Sequence, residues 1–293
     1  MDKKQEKRPQ KFSGDIEKDI KAVKAILSAD DIFVYRFATK DGKTCASVYA
    51  DGITDKELLG EMAAKPLSLA DAPETAEEAK KMLYFPETKP AEDLQTACNE
   101  ILSGNPLLLI DGIAEGIVLG TKKVSLRAIM EPQTSITVKG PREGFIEDVK
   151  TNMSLIRRRL KTPALRFITL EVGRASKTAV VVAYLAGIAD EKIVKEIEER
   201  ISAIDIDGVP DSSYIGKFLA KKPYSLFKQV GTTEKPDILC AKMLEGRVAV
   251  LADGSPIALT LPYMLAEDFQ SSQDYFVSPY RATISRILRL AAV

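Results

Sequence analysis

Three short stretches of this chain carry residue types in an order that could do chemistry. Gly173-Arg-Ala-Ser-Lys-Thr178 ends like a phosphate-binding loop, in which glycine-rich backbone amides and a Lys-Thr pair cradle a polyphosphate. That chemistry needs glycine immediately before the lysine and a helix N-terminus after it. Ser176 stands in the glycine's place and Ala179-Val-Val-Val182 favours a strand, so the stretch is predicted to be a hairpin turn with solvated charges. Asp205-Ile-Asp-Gly-Val-Pro-Asp211 offers carboxylates at calcium-loop spacing, but Val209 and Gly216 fall where oxygen ligands are required. It is predicted to be a turn into a helix over 212–220, with Asp211 as N-cap. Arg157, Arg158 and Arg159 are consecutive, and three consecutive residues cannot share one helix face. Either they complement a helix dipole on a solvated surface, or they pair with carboxylates of another lobe or a second subunit, which the rigid guanidinium fork suits. Arg142, Glu143, Arg157, Arg158 and Arg159 are therefore the candidate interface or interlobe contacts.

Composition narrows the classes further. There is no histidine, which removes the commonest general base and metal ligand and argues against hydrolase triads and zinc sites. Cys45, Cys98 and Cys240 are widely spaced and odd in number, consistent with buried thiols in a reducing compartment. Lys plus Arg and Asp plus Glu number 42 each, so the overall field gives no reason to expect nucleic acid. The expectation is a protein with no catalytic centre, metal or cofactor. Hydrophobic residues make up 45% of the 293, enough for two domains with their own cores. No apolar run of about 18 residues occurs, and the charged opening of the chain reads as a mobile tail over 1–14 rather than a signal peptide.

The elements that position these residues come as one unit used twice. A helical pattern over 16–27 precedes two strand patterns, 31–38 and 44–50, joined at Asp41-Gly42. A second helix, predicted over 142–161 and opened by Pro141, carries Phe145, Val149, Met153, Ile156 and Leu160 as its apolar stripe, and Pro163 closes it. Strand patterns over 165–172 and 178–185 follow. Tyr184-Leu-Ala-Gly-Ile-Ala-Asp190 echoes Tyr49-Ala-Asp-Gly-Ile-Thr-Asp55, and helices over 56–64 and 191–202 come next. In each half a further helix leads through Gly104 or Gly246 into an apolar strand ending at Asp111-Gly112 or Asp253-Gly254. Gly52 and Gly187 stand 135 positions apart and Gly112 and Gly254 stand 142 apart, so the halves stay in step. The fold class read from this is α/β, with two similar lobes from an internal duplication. Each lobe is expected to be a small mixed β-sheet of two strand pairs flanked by helices, over 15–130 and 142–278 with a linker at 131–141. Pro66, Pro73, Pro86 and Pro90 predict loops and short helices in the first lobe. The last stretch, 279–293, reads as a basic amphipathic helix. Arg281, Arg286 and Arg289 fall on one side and Ile284, Ile287, Leu288 and Leu290 on the other, a pattern suited to a membrane surface, a partner or the protein's own domain.

The run Gly140-Pro-Arg-Glu-Gly-Phe145, followed by a helix ending in Ile156-Arg-Arg-Arg159, resembles the A-subunit family of spore germinant receptors. The likeness continues through 170–178, 184–190, 204–207, 245–254 and Phe269-Gln-Ser-Ser-Gln-Asp-Tyr275, and is looser before Gly140. The resemblance implies the soluble N-terminal domain of a receptor A subunit, ahead of a membrane-embedded region, taking part in receptor assembly and nutrient-triggered germination signalling. It implies B and C subunits as partners, self-association, and a place at the spore inner membrane on the core side, with Arg281, Arg286 and Arg289 next to the membrane. The alternatives are a germinant-binding module with a site between the lobes and a sporulation accessory protein of the same family.

Overall fold

The computed structural model describes residues 10–85, 87–121, 141–221, 225, 228–264, 267, 280, 283–285 and 287–288. The expected linker lies almost wholly outside them. The chain divides into two compact units, lobe 1 and lobe 2.

Lobe 1 opens with α1 (Ile16–Leu27), whose N-cap Asp15 accepts the Glu17 and Lys18 N–H groups. Strands β1 (Ile32–Ala38) and β2 (Thr44–Ala50) form the expected hairpin, with Gly42 at φ +87° supplying the left-handed turn residue. After α2 (Lys56–Leu59) the chain does not enter a loop at Pro66. A π-turn over Gly60–Ala64 leads directly into α3 (Lys65–Leu69). Proline lacks the N–H that an α-helix would give to the carbonyl four residues back. The wider turn accommodates the ring, and the Met62 carbonyl accepts from Tyr84 N–H instead, at 3.1 Å. Then come α4 (Ala76–Met82), β3 (Thr88–Ala91), α5 (Leu94–Leu102), β4 (Leu107–Ile110) and β5 (Gly116–Leu119).

The sheet has five strands in the order β1-β2-β4-β5-β3. Every recorded pairing is antiparallel, where the sequence left the sheet mixed and gave it two strand pairs. The fifth strand went unread because β3 contains Pro90, a residue a sheet tolerates at an edge, which is where β3 sits. Side-chain alternation splits β4 between two cores. Leu107 and Leu109 pack under α1 and α5, and Leu108 and Ile110 pack against α3 and α4.

Lobe 2 repeats the plan with α6 (Val149–Arg159), β6 (Leu165–Val172), β7 (Thr178–Leu185), α7 (Glu191–Ser202), α8 (Ser212–Leu219), β8 (Gly231–Thr233), α9 (Pro236–Leu244), β9 (Val248–Ala252) and β10 (Ala258–Leu261). Its strand order, β6-β7-β9-β10-β8, is that of lobe 1 position for position. The recurring glycines match in conformation: Gly52 and Gly187 at φ +78° and +79°, Gly112 and Gly254 at +82° and +80°. The same hydrogen bond ties each sheet to the start of its first helix, Gly112 N–H to Gly14 O and Gly254 N–H to Glu147 O, both at 2.8 Å. The two lobes are thus similar, as the echoing motifs implied. The helix boundary needs correction: α6 starts at Val149, seven residues after the predicted start at Arg142, for reasons found in the site itself.

Candidate functional site

Asp148 is the N-cap of α6, its carboxylate accepting the Thr151 N–H at 2.8 Å and the Thr151 hydroxyl. One turn on, the fully buried Asn152 side chain reaches back to residue 146, accepting the Ile146 N–H at 2.9 Å and donating to the Ile146 carbonyl at 2.6 Å. Those two bonds claim backbone groups that a helix would use, so the chain before Asp148 cannot coil. Phe145 N–H donates to Glu234 O at 2.8 Å, and Val149 N–H to Asp253 Oδ1 at 3.2 Å, which fastens both ends of the run to neighbouring segments of lobe 2.

The non-helical entry explains why the two halves of the signature belong together. Eleven helical residues rise about 16 Å, and the five residue-to-residue steps of an extended six-residue run cover the same span at about 3.3 Å each. Residues 143–148 therefore return Glu143 to the far end of α6. There its Oε2 meets Arg159 Nη2 at 2.6 Å and its Oε1 lies 3.7 Å from Arg158 Nη2. All three side chains keep between a quarter and a third of their surface in solvent. Arg157 points the other way. It is 1% exposed, with its guanidinium 5.0 Å over the Phe167 ring and Nη2 3.5 Å from the Leu165 carbonyl. Within lobe 2, then, Glu143 meets Arg158 and Arg159 while Phe167 meets Arg157, pairings the sequence did not present. Arg142 is exposed at the head of the run. Arg281, Arg286 and Arg289 lie outside the described residues.

The arrangement is an electrostatic brace rather than a reaction centre. Guanidinium groups neither donate nor take up protons near neutral pH. The thiols are withheld as well: burial pushes the Cys45 thiol up to about 11 and the Cys98 and Cys240 thiols up to about 12, far from the thiolate form. Cys240 stays high although Arg159 works to lower it. All three cysteines are free and buried. Cys98 and Cys240 hold the same place in α5 and α9, an equivalence that a comparison of the halves at the 142-residue offset would have found.

The other two candidate stretches meet each other. Gly173-Arg-Ala-Ser-Lys177 is the β6–β7 turn, and its Arg174 and Ala175 N–H groups donate to the Ile206 and Asp207 carbonyls at 2.9 and 2.8 Å. Arg174 Nε lies 2.7 Å from Asp205 Oδ1, with both side chains exposed. The aspartate loop is thus the hairpin's docking partner. Asp211 caps α8 through Ser213 N–H at 2.8 Å and accepts from the buried Ser255 hydroxyl at 2.7 Å. Among the described residues no cluster of three or more carboxylates and thiols could hold a metal ion.

Sequence reasoning missed a second charged group. Glu267 lies 2.6 Å from Lys242 Nζ and 2.9 Å from Arg247 Nε, all largely buried. Burial works to raise the Glu267 pKa, but Lys242, the Met264 N–H and Arg247 outweigh it and hold the carboxyl below its ordinary value. The three positions share no sequence spacing, so only the fold brings them together.

Known proteins place this architecture. The sequence profile of the Bacillus/Clostridium GerA spore germination proteins matches residues 20–293. Spore germination protein KA of Bacillus subtilis (strain 168) is 32% identical over 293 residues, covering 98% of this chain and 54% of that protein. Spore germination protein B1 of the same strain is 30% identical, covering 96% and 59%. The chain spans about half the length of the curated relatives it matches. Among solved structures, the N-terminal domain of the A subunit of the Bacillus megaterium spore germinant receptor GerK3 superposes with a TM-score of 0.68 at 26% identity, over 88% of this chain and 99% of that domain. With its signature built into the start of lobe 2 and the match running through both lobes, the chain belongs to the GerA family of spore germination proteins.

Proposed function

We propose that this chain is the N-terminal domain of a germinant receptor A subunit, and that it serves receptor assembly and signal transmission rather than nutrient recognition. It works with B and C subunits at the spore inner membrane, on the core side. The observation that carries the reading is the likeness to the GerK3 A-subunit domain, which is matched over 99% of its length. The signature residues support the assembly role, since they build a brace whose outer members, Glu143, Arg158 and Arg159, remain partly exposed and available to a second polypeptide. No helix among the described residues is long and apolar enough to cross a membrane.

The test removes this domain from the receptor gene in a spore former and follows the B and C subunits in the inner-membrane fraction by immunoblot. Assembly predicts that both fall severely, together with nutrient-triggered germination. B and C at full level with an intact nutrient response would overturn the reading. A companion experiment melts the isolated chain with amino acids, sugars and purines. A ligand at 100 times its Kd adds about 2.7 kcal/mol, which is several degrees for a domain of this size. A shift of that size with one germinant would make the domain a sensor.

A further inference from the structure

The two lobes differ at the outer edge of their sheets. In lobe 2, Ile168 and Leu170 of β6 and Tyr184 of β7 pack into the cluster formed with α7 and α8. The corresponding face of β1 carries Phe33 and Tyr35, which remain 45% and 43% exposed. Phe33 stacks on Tyr49 with ring centroids 6.2 Å apart, extending the aromatic surface inward. Large apolar side chains on an open edge are avoided in soluble folds, because the same edge presents unspent backbone donors and acceptors.

The register identifies those groups. Thr39 N–H donates to Lys43 O, and Asp51 N–H donates to Asp31 O. In the antiparallel β1–β2 pairing, hydrogen-bonded and open positions alternate, so Phe33, Tyr35 and Phe37 are the residues bonded to β2. Val34 and Arg36 turn their N–H and C=O groups outward, and β1 ends the sheet. Directly alongside runs a groove of about 620 Å³, walled by Lys24 and Ser28 at the end of α1, by Asp30, and by Val34 and Arg36. The Arg36 guanidinium is occupied by Glu17. Lys24 has no carboxylate partner among the described residues.

We propose that this groove is a strand-addition site for an extended peptide segment of a partner protein, with alternating aliphatic and acidic side chains. The segment's backbone bonds to Val34 and Arg36, its aliphatic row covers Phe33 and Tyr35, and a carboxylate from the other row meets Lys24 under α1. A strand flanked by an open edge and a helix gains main-chain hydrogen bonds for affinity and alternate side-chain pockets for specificity. The inference is independent of the receptor reading, since it uses only the edge of the sheet, the groove and Lys24 in lobe 1.

The test uses the whole chain and a fluorescein-labelled peptide of alternating Val and Glu, about eight residues long to match a typical strand, against an alternating Val and Lys peptide. Fluorescence polarisation should show the acidic peptide binding at least about tenfold tighter, with amide shifts in β1 and the end of α1 by NMR. Val34→Pro should reduce that binding at least about tenfold while Val34→Ala, which loses the same packing on the lobe 1 core but keeps the N–H, should not. If Val34→Pro fails to fold, Lys24→Glu, on an exposed side chain, should reverse the preference between the two peptides. Absence of binding, or binding that neither Val34→Pro nor Lys24→Glu alters, overturns the proposal. So does a concentration-dependent dimer abolished by Val34→Pro without peptide binding, which would make a second copy of β1 the occupant.

Discussion

Replacing Asn152 by Asp changes one atom and tests the account of where α6 begins. The side chain is fully buried, so shape and packing are conserved by the substitution. The new carboxylate can still accept the Ile146 N–H, now at 2.9 Å, but its other oxygen takes the place of Nδ2, 2.6 Å from the Ile146 carbonyl with no proton between them. Losing the donated bond and leaving two acceptors face to face in a dry site costs about 2–4 kcal/mol. For a lobe of this size that lowers the lobe 2 melting transition by roughly 6–16 °C at pH 7. The deficit depends on pH in a known direction. The introduced carboxyl is more stable protonated in the folded lobe, which raises its folded pKa above the unfolded value of about 3.9. The loss is therefore complete above the folded pKa and shrinks as pH falls toward the unfolded one, because the protonated group can again donate to Ile146. Calorimetric melts of parent and variant at pH 7 and pH 4 measure it. A difference below about 2 °C at pH 7, or one that is equal at the two pH values, would refute the claim that this side chain holds the run before Asp148 out of the helix.

Three further outcomes follow from the charged groups. Arg157→Gln should cost about 3 kcal/mol in chemical denaturation, since it strips a buried cation from the Phe167 face, whereas Arg158→Gln, at a half-open pair 3.7 Å long, should cost less than about 1 kcal/mol. Equal costs would mean that the three arginines are not divided as described. Because Glu267 titrates below its ordinary value of 4.5, its contribution is full above pH 4.5 and disappears as pH falls through the lower folded pKa; Glu267→Gln should flatten the acid limb of the stability profile, and an unchanged limb would contradict the assignment. Native protein at pH 8 should leave Cys45, Cys98 and Cys240 unalkylated by iodoacetamide in intact-mass spectra while urea-unfolded protein takes up three groups, and rapid native labelling of any of them would contradict their burial.

The parts of this molecule legible in its sequence are those set by short-range chemistry. Asp41-Gly42 announces its hairpin, and Asp211 announces the start of α8, because a turn or cap is decided within a few residues. The paired glycines gave away the duplication for the same reason: only glycine readily holds φ near +80° at Gly52, Gly187, Gly112 and Gly254. Illegible features depend on partners far along the chain. Pro141 looked like a helix start until Asn152 and Glu234 claimed the backbone after it. Pro66 looked like a break, but the π-turn before it and Tyr84 after it let the helix pass. The Glu267 group needed residues from three segments, and the brace needed an extended run to be as long as the helix beside it.

Comparing the lobes separates what the fold demands from what it leaves free. Both lobes retain a buried Phe before the first helix, at Phe12 and Phe145, a capping aspartate at Asp15 and Asp148, and a buried cysteine at Cys98 and Cys240. They also retain a side chain that reaches back six residues from the first helix, but its chemistry has changed. Asp19 accepts the Ser13 N–H and hydroxyl, at 3.0 and 2.9 Å, and needs no donor. Asn152 must both donate and accept, since Ile146 offers only backbone. A shared geometry met by different chemistry marks a constraint on the fold. The reverse pattern, one architecture with a position covered in one lobe and open in the other, marks freedom that a partner can use. Phe33 and Arg166 occupy that position, as do Tyr35 and Ile168. In lobe 2 the regular amphipathic α7 packs on this edge, and in lobe 1 the same place after the sheet's hairpin is taken by α2, the π-turn and α3, a run whose helical register is broken at the π-turn. Phe33 and Tyr35 stay open on a strand whose pairing register turns the amides of Val34 and Arg36 outward, so the position that differs between the lobes is also the one with backbone groups to offer.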